Sequence, residues 1–135
     1  MRQEIIVESK EEKSLLAELE KRADPESLRR KKCLKMPDLS RQEESPIREL
    51  VKRILAIPDF EDFDVIKDPE IVPARESFDL FNFPKDHPAR SGSDTYFLNT
   101  DSILRTHTTI MWYYYLTLPE IQARVKKGEA LGLLS

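Results

Sequence analysis

No aromatic residue precedes Phe60, and all 11 of them follow from there, whereas 14 of the 22 lysines and arginines lie at or before Arg53. Aromatic side chains bring the largest buried areas to a core. The packed interior is therefore expected mainly from the second half, with the front as an arm or a helical layer. A chain of 135 residues has room for one ordinary domain, or a smaller domain with an appendage. With 39% hydrophobic and 35% charged residues, only part of it can be core.

The front carries three helix-start signals. Ser9-Lys10-Glu11-Glu12 reads as a capping box, with Ser9 bonding the third helical amide and Glu12 reaching back to the Ser9 N–H. A helix from about Lys10 to Arg22 follows, with a narrow stripe of Leu15, Leu16 and Leu19. Asp24-Pro25 and Ser45-Pro46 each place a capping side chain before a proline whose missing N–H costs nothing at the first helical position. The first opens a charged helix to about Lys35, and residues 36–44 read as a linker. The second opens the most strongly patterned helix, with Ile47, Leu50, Val51, Ile54 and Leu55 on one face and Pro58 as its stop.

Further on, Phe63, Val65 and Ile66 predict a short strand before Pro69 and Pro73. Asp94–Leu98 and Ile103–Thr106, separated by the turn formers Asn99-Thr100-Asp101-Ser102, predict an antiparallel hairpin. Thr108 or Thr109 is placed to cap a helix through Leu118, Pro119 to open another ending near Gly128, and a strand begins near Leu131. The fold class read from this order is α+β, an antiparallel sheet with flanking helices.

Several classes fall away. A net charge of -3 excludes a uniformly basic nucleic-acid coat while leaving room for a local basic patch. A single cysteine, Cys33, cannot build an internal disulfide framework, and one Cys with two His cannot make a zinc site alone. A cytoplasmic protein is expected. The longest apolar run, Ile110 to Leu116, has seven residues, against roughly 20 for a membrane span. Met1–Glu8 shows no secretion signal.

Individual polar clusters leave alternatives open. His107 at a strand-to-helix junction is either a ligand-facing residue beside exposed amides or a satisfied structural histidine. Arg105 can clamp a carboxylate or phosphate, or pair with Asp94 or Asp101 across the hairpin. Asp86-His87-Pro88-Ala89-Arg90 is a proline-stiffened loop suited to a ligand or to a plain turn, and it has no nucleophile for a triad. The Ile110–Leu116 run can line a pocket, stack bases or form a buried helix. Arg29-Arg30-Lys31-Lys32, with Lys35, suits phosphate binding or a solvated face.

The order of these segments is more specific than any one of them. Phe78-Asp79-Leu80-Phe81-Asn82-Phe83-Pro84, then Asp86–Arg90, then Asp94-Thr95-Tyr96-Phe97, then Leu104-Arg105-Thr106-His107-Thr108-Thr109 resembles the catalytic core of the phenylalanyl-tRNA synthetase α subunit. That family has an FD-LN-P segment, a DHPAR loop, a DTF strand and an LRTHTS junction in the same order. The resemblance covers roughly residues 45–116 well, the rest to 135 less sharply, and 1–44 hardly.

The resemblance implies a partial class II aminoacyl-tRNA synthetase core over 45–135, preceded by a charged helical arm and linker over 1–44. The helix after Ser45 and the segment from Phe63 to Pro73 then look like motif 1. The complete family enzyme joins phenylalanine to ATP with Mg²⁺ and passes the aminoacyl group to tRNA(Phe), paired with a β subunit in an α2β2 assembly. By the same resemblance His107 helps hold phenylalanine, Thr109 stands at a serine position, Phe97 supplies an aromatic wall where some members have tryptophan, and Trp112 replaces a substrate-contacting glutamine. Ile110 stands where the family's THTSP form has proline. Arg90 and Arg105 are supporting candidates, and Arg29, Arg30, Lys31 and Lys32 candidates for binding tRNA. No residue of the chain is assigned a catalytic or metal-binding role, since the arginine-bearing motifs 2 and 3 that grip ATP are expected further along a longer protein, and the chain by itself is expected to be inactive. The alternative is a non-catalytic synthetase-like paralogue serving as a binding or interaction module.

Overall fold

In the computed structural model, which describes all of Met1–Ser135, the elements run β1 (Glu4–Ile6), α1 (Lys10–Glu20), α2 (Pro25–Leu34), α3 (Pro46–Leu55), β2 (Asp64–Lys67), β3 (Ile71–Pro73), α4 (Ala74–Phe78), β4 (Ser102–Leu104), α5 (Met111–Thr117), α6 (Pro119–Lys126) and β5 (Leu133–Leu134). The expected caps set the front helices. Ser9 accepts from the Glu12 amide at 3.1 Å, Asp24 from the Ser27 amide at 2.9 Å, and Ser45 from the Ile47 amide at 3.2 Å. Only half of the capping box forms. Glu12 Oε1 accepts instead from the amides of Glu70 at 2.7 Å and Ile71 at 3.0 Å, which docks α1 on β3. At the far end, Gly128 closes α6 with φ 74, a conformation in which a side chain is costly.

The fold is α+β, but its larger sheet is not antiparallel. The order β1-β2-β5 is parallel throughout, and only the pair β3-β4 is antiparallel. Parallel neighbours need long crossovers. Here α1 to α3 supply one and α4 to α6 the other. The hairpin expected over 94–106 forms in shortened form: Phe97 bridges Ile103 antiparallel, the Leu98 amide donates to the Ser102 carbonyl and the Leu104 amide to the Tyr96 carbonyl, both at 2.9 Å, while β4 also pairs with β3. The Asn99 side chain builds the intervening turn, accepting from the amides of Asp101 at 2.9 Å and Ser102 at 2.8 Å. Thr108 and Thr109 do not cap α5, since a 3-10 turn over Thr108–Ile110 leads into it without a side-chain cap.

Three apolar clusters form the interior. Leu15 and Leu19 of α1 meet Ile71 and Leu98; Ile66, Tyr115, Ile121 and Leu133 form the second; Val72, Phe78, Ile103 and Ile110 form the third. The second half thus supplies most of the core. The front is nevertheless knitted in: β1 pairs with β2, and the Arg2 guanidinium donates to the carbonyls of Leu55, Phe60 and Phe63 at 2.5–3.2 Å. On α3, the best-patterned helix, no residue is buried.

The expected strand forms as β2, and its inward residues are Asp64 and Ile66, with Val65 half-buried. Asp64 is fully buried, and its carboxylate accepts from the Tyr115 hydroxyl at 2.5 Å, the Arg124 guanidinium at 2.6 Å and the Gln3 amide at 3.0 Å. Burial works to raise the Asp64 pKa, and these donors outweigh it and hold it below the usual range. Burial, reinforced by the bond to Asp64, pushes the Tyr115 phenol up to about 12.

Two pH limbs follow. The Asp64 contribution is present above the unfolded carboxylate value of about 3.9 and is lost as pH falls through its lower folded value. The Tyr115 contribution is complete below about 10 and is lost as pH rises toward the folded value of about 12. Denaturant melts across pH should show both limbs. Asp64→Asn should reduce the acid limb, leaving the part due to the other lowered carboxylates such as Asp38, at a cost of about 3 kcal/mol, at the low end for breaking a buried pair because Arg124 can turn to water. Tyr115→Phe should shrink the alkaline limb, leaving the part that the buried Tyr114 phenol contributes.

Candidate functional site

The site is built from a loop and a junction. After α4 the chain turns through Asn82 in the left-handed region, at φ 56, a conformation asparagine tolerates better than most residues. Arg90 fastens that loop: it pairs with Asp79 at 2.8 Å, donates to the carbonyls of Phe83 at 2.5 Å and Pro84 at 2.8 Å, and lies 5.2 Å over the Phe78 ring. His87 is equally local, its Nδ1 accepting from the Ala89 amide at 3.1 Å to cap the Pro88–Arg90 turn. The result is a fixed platform presenting Phe81 and Phe83.

His107 meets that platform from the other side. It sits in extended backbone just after β4, with φ -150 and ψ 156. Its ring lies 5.5 Å edge-on from Phe81 and 5.8 Å from Phe83, stacked at 8°. Nε2 is 3.0 Å from the Ser77 carbonyl oxygen, which can only accept, so Nε2 carries the hydrogen. That leaves Nδ1 as an acceptor, and it is buried without a partner. Ser77 Oγ, on the same residue that holds Nε2, is likewise buried and unpartnered. Such orphaned polar atoms are uncommon in folded chains and mark a place of interest.

Of the other residues named from sequence, Phe97 packs half-buried on the cluster of Val72, Phe78, Ile103 and Ile110, as do Phe81 and Phe83. It also lines a cavity of about 510 Å³ together with Phe78, Arg75 and Arg90. His107 and Phe97 are thus brought to one aromatic cluster. Trp112 is not: it packs on the second cluster, 6.2 Å from the Tyr115 ring. Thr109 is exposed.

Arg105 pairs with Asp68 at 2.6 Å and lies 3.7 Å from Glu70, not with Asp94 or Asp101. The reason is the strand pairing, which sets the Arg105 amide on the Glu70 carbonyl at 2.8 Å. In the basic cluster of α2, Arg30 pairs with Glu26 at 3.1 Å, and Lys31 donates to the carbonyls of Glu20 and Arg22 at 2.8 and 2.6 Å. Arg29 and Lys32 make no ion pair and stay exposed.

The sequence reading missed Asp64, Tyr115 and Arg124 as a unit. The available signal was an acid inside an otherwise apolar strand, which a buried cation and phenol had to answer. It also missed Tyr114, whose phenol is raised by burial and by the neighbouring Tyr113, with the carboxylates of Asp68, Glu12 and Glu76 adding to it. No set of three or more His, Cys, Asp or Glu side chains converges to hold a metal ion. No helix is long and apolar enough to cross a membrane.

The platform depends on Arg90, whose charge-assisted bonds are each of the stronger kind. Arg90→Ala should lower the unfolding free energy by about 2 kcal/mol. It should also release the Phe81 and Phe83 rings from His107, seen as loss of their ring-current shifts in the NMR spectrum. Arg90→Lys should not restore them, since a single ammonium cannot reach Asp79 and two carbonyls in a fork.

The model of the tRNA synthetases class II core domain (F) matches residues 32–127, from within α2 through the end of α6. No curated protein matches the chain. With well over half of its residues inside that match, the chain belongs to the class II core family of tRNA synthetases.

Proposed function

We propose that this chain is part of a phenylalanine-tRNA ligase α subunit, and that it contributes the face of the class II core that receives phenylalanine. The observation that carries the reading is the His107 junction: an imidazole held by the Ser77 carbonyl, stacked on Phe83 and edged by Phe81, with Phe97 on the same cluster. An aromatic cluster offers a benzyl side chain dispersion and edge-to-face packing, and an imidazole lone pair offers an acceptor to an ammonium. The four motifs in register support the same choice of amino acid. In this reading ATP and Mg²⁺ are held by residues outside this chain, and the assembly includes a β subunit.

The contribution of such a site is positioning. It would fix the amino-acid carboxylate relative to the α-phosphate, which lowers the barrier without a covalent enzyme intermediate. Thr109, exposed beside His107, is free to bond the ammonium or carboxylate of the substrate. Trp112, the remaining substrate-side candidate, packs on the neighbouring cluster beside Tyr115.

Calorimetric titration with a non-hydrolysable phenylalanyl-adenylate analogue should show binding, and the leucyl counterpart should bind about tenfold more weakly or worse. His107→Ala should weaken the phenylalanyl analogue by about tenfold, the loss of one hydrogen bond to a charged group. Equal affinity for the two analogues would remove the phenylalanine assignment while leaving the family intact.

For tRNA, the exposed pair on α2 is the candidate binding point. Arg29→Glu with Lys32→Glu should weaken tRNA(Phe) binding and flatten its salt dependence by roughly one unit of slope for each phosphate no longer neutralised. Reversal at Lys31, whose ammonium is already spent on two carbonyls, should act on stability instead.

A further inference from the structure

A groove of about 1180 Å³ runs from α3 to the ends of β2 and β4. One wall is apolar, from Leu34, Ile47, Val51, Ile54 and Leu104. The other end gathers Asp68, Glu70, Arg105, Tyr96 and Thr108. The ion balance at that end is uneven. The Asp68 side chain is 1% exposed, and its Oδ1 pairs with Arg105 at 2.6 Å, with the Ser135 hydroxyl a distant second donor at 3.5 Å. Its Oδ2 is buried with no donor. Arg105 approaches Glu70 only at 3.7 Å. Two carboxylates therefore share one guanidinium, and the set is one cation and one donor short.

The arginines of the groove are committed elsewhere, Arg41 to Glu4 and Asp38, both at 3.4 Å, Arg48 toward Glu43 at 3.9 Å, and Arg2 to backbone carbonyls, while Lys67 is exposed and makes no ion pair with Asp68 or Glu70. The hydroxyls of Tyr96 and Thr108 make no hydrogen bond and stand ready to accept. A buried carboxylate oxygen without a donor carries a desolvation cost that a donor from outside would relieve.

We propose that this groove binds a small organic cation, a primary ammonium on an apolar body. One ammonium N–H donates to Asp68 Oδ2 and the others to Thr108 and Tyr96, while the apolar body lies along Ile47, Val51 and Ile54. Entry moves Arg105, 23% exposed in its side chain, toward Glu70. The site is separate from the His107 junction and does not depend on the phenylalanine reading.

The test is an NMR titration of the whole chain with n-hexylammonium chloride and, in parallel, with 1-hexanol, its neutral counterpart. The expected result is shifts at residues 67–70, 104–108 and 47–54 with the ammonium, and about tenfold weaker binding of the alcohol, the value of one charge-assisted hydrogen bond. Asp68→Asn should remove that preference. Equal affinities for the two probes, or an unchanged preference in Asp68→Asn, would show that Asp68 Oδ2 is served by water alone and overturn the proposal. Should Asp68→Asn not fold, the pair of probes on the unaltered chain decides the matter by itself.

Discussion

The carboxylate of Asp64 is the point on which the parallel sheet depends. It lies on the central strand, fully buried, and is reached from the residue just before β1 through the Gln3 amide, from α5 through Tyr115 and from α6 through Arg124. Each donor comes from a different part of the chain, so the charge is compatible with only one arrangement of the four. A buried ion pair adds little net stability over an apolar replacement, yet losing one partner is expensive. What Asp64 supplies is register: a slip of β2 by one residue would carry a bare carboxylate to the wrong face.

The second structural theme is the use of arginine as a fastener. Arg90 ties the Asp79–Pro84 loop, Arg105 closes on Asp68, and Arg124 answers Asp64. All three lie in the half of the chain that carries the core; the acids met by Arg105 and Arg124 are buried, while Asp79, met by Arg90, stays half exposed. In the front half the balance differs, since Arg29 and Lys32 on α2 remain exposed and unpaired. The division explains how a chain of net charge -3 can still present a basic face to an anionic partner.

How much of this was legible in the sequence follows from the range of the interactions concerned. Ser9, Asp24 and Ser45 cap as expected because a cap is settled within three residues. Glu12 departs from its capping box because the amides of Glu70 and Ile71, at the entry to β3, take its carboxylate in place of its own Ser9 N–H. The parallel pairing of β1 with β2 was not legible: Glu4-Ile5-Ile6 is too short to read as a strand, and its partner lies some sixty residues away. The hairpin was legible where it is local, in the Asn99 turn and the short Phe97–Ile103 pairing, while the choice of β3 as the further partner of β4 is long-range. Motif order located the His107 junction; only the fold could show that Phe81 and Phe83 flank it and that Trp112 faces elsewhere.

α3 gives the last step. Its apolar spacing is the strongest in the chain, yet Ile47 is 45% and Leu50 53% exposed, so the stripe that should drive burial is only partly satisfied. The neighbouring sheet is already covered from within: Ile66 and Leu133 pack with Tyr115 and Ile121, which occupies the core-facing side of β2 and β5. What remains for α3 is the opposite side, where Val65 and Leu134 line the groove with it. Each face of the parallel sheet thus has a different fate, one closed by α5 and α6 and one left as a half-open apolar channel. The alternation along β2 produces this directly, because Asp64 and Ile66 point to the closed side while Val65 and Lys67 point to the channel. The same residue whose burial fixes the sheet therefore determines which side of it stays accessible.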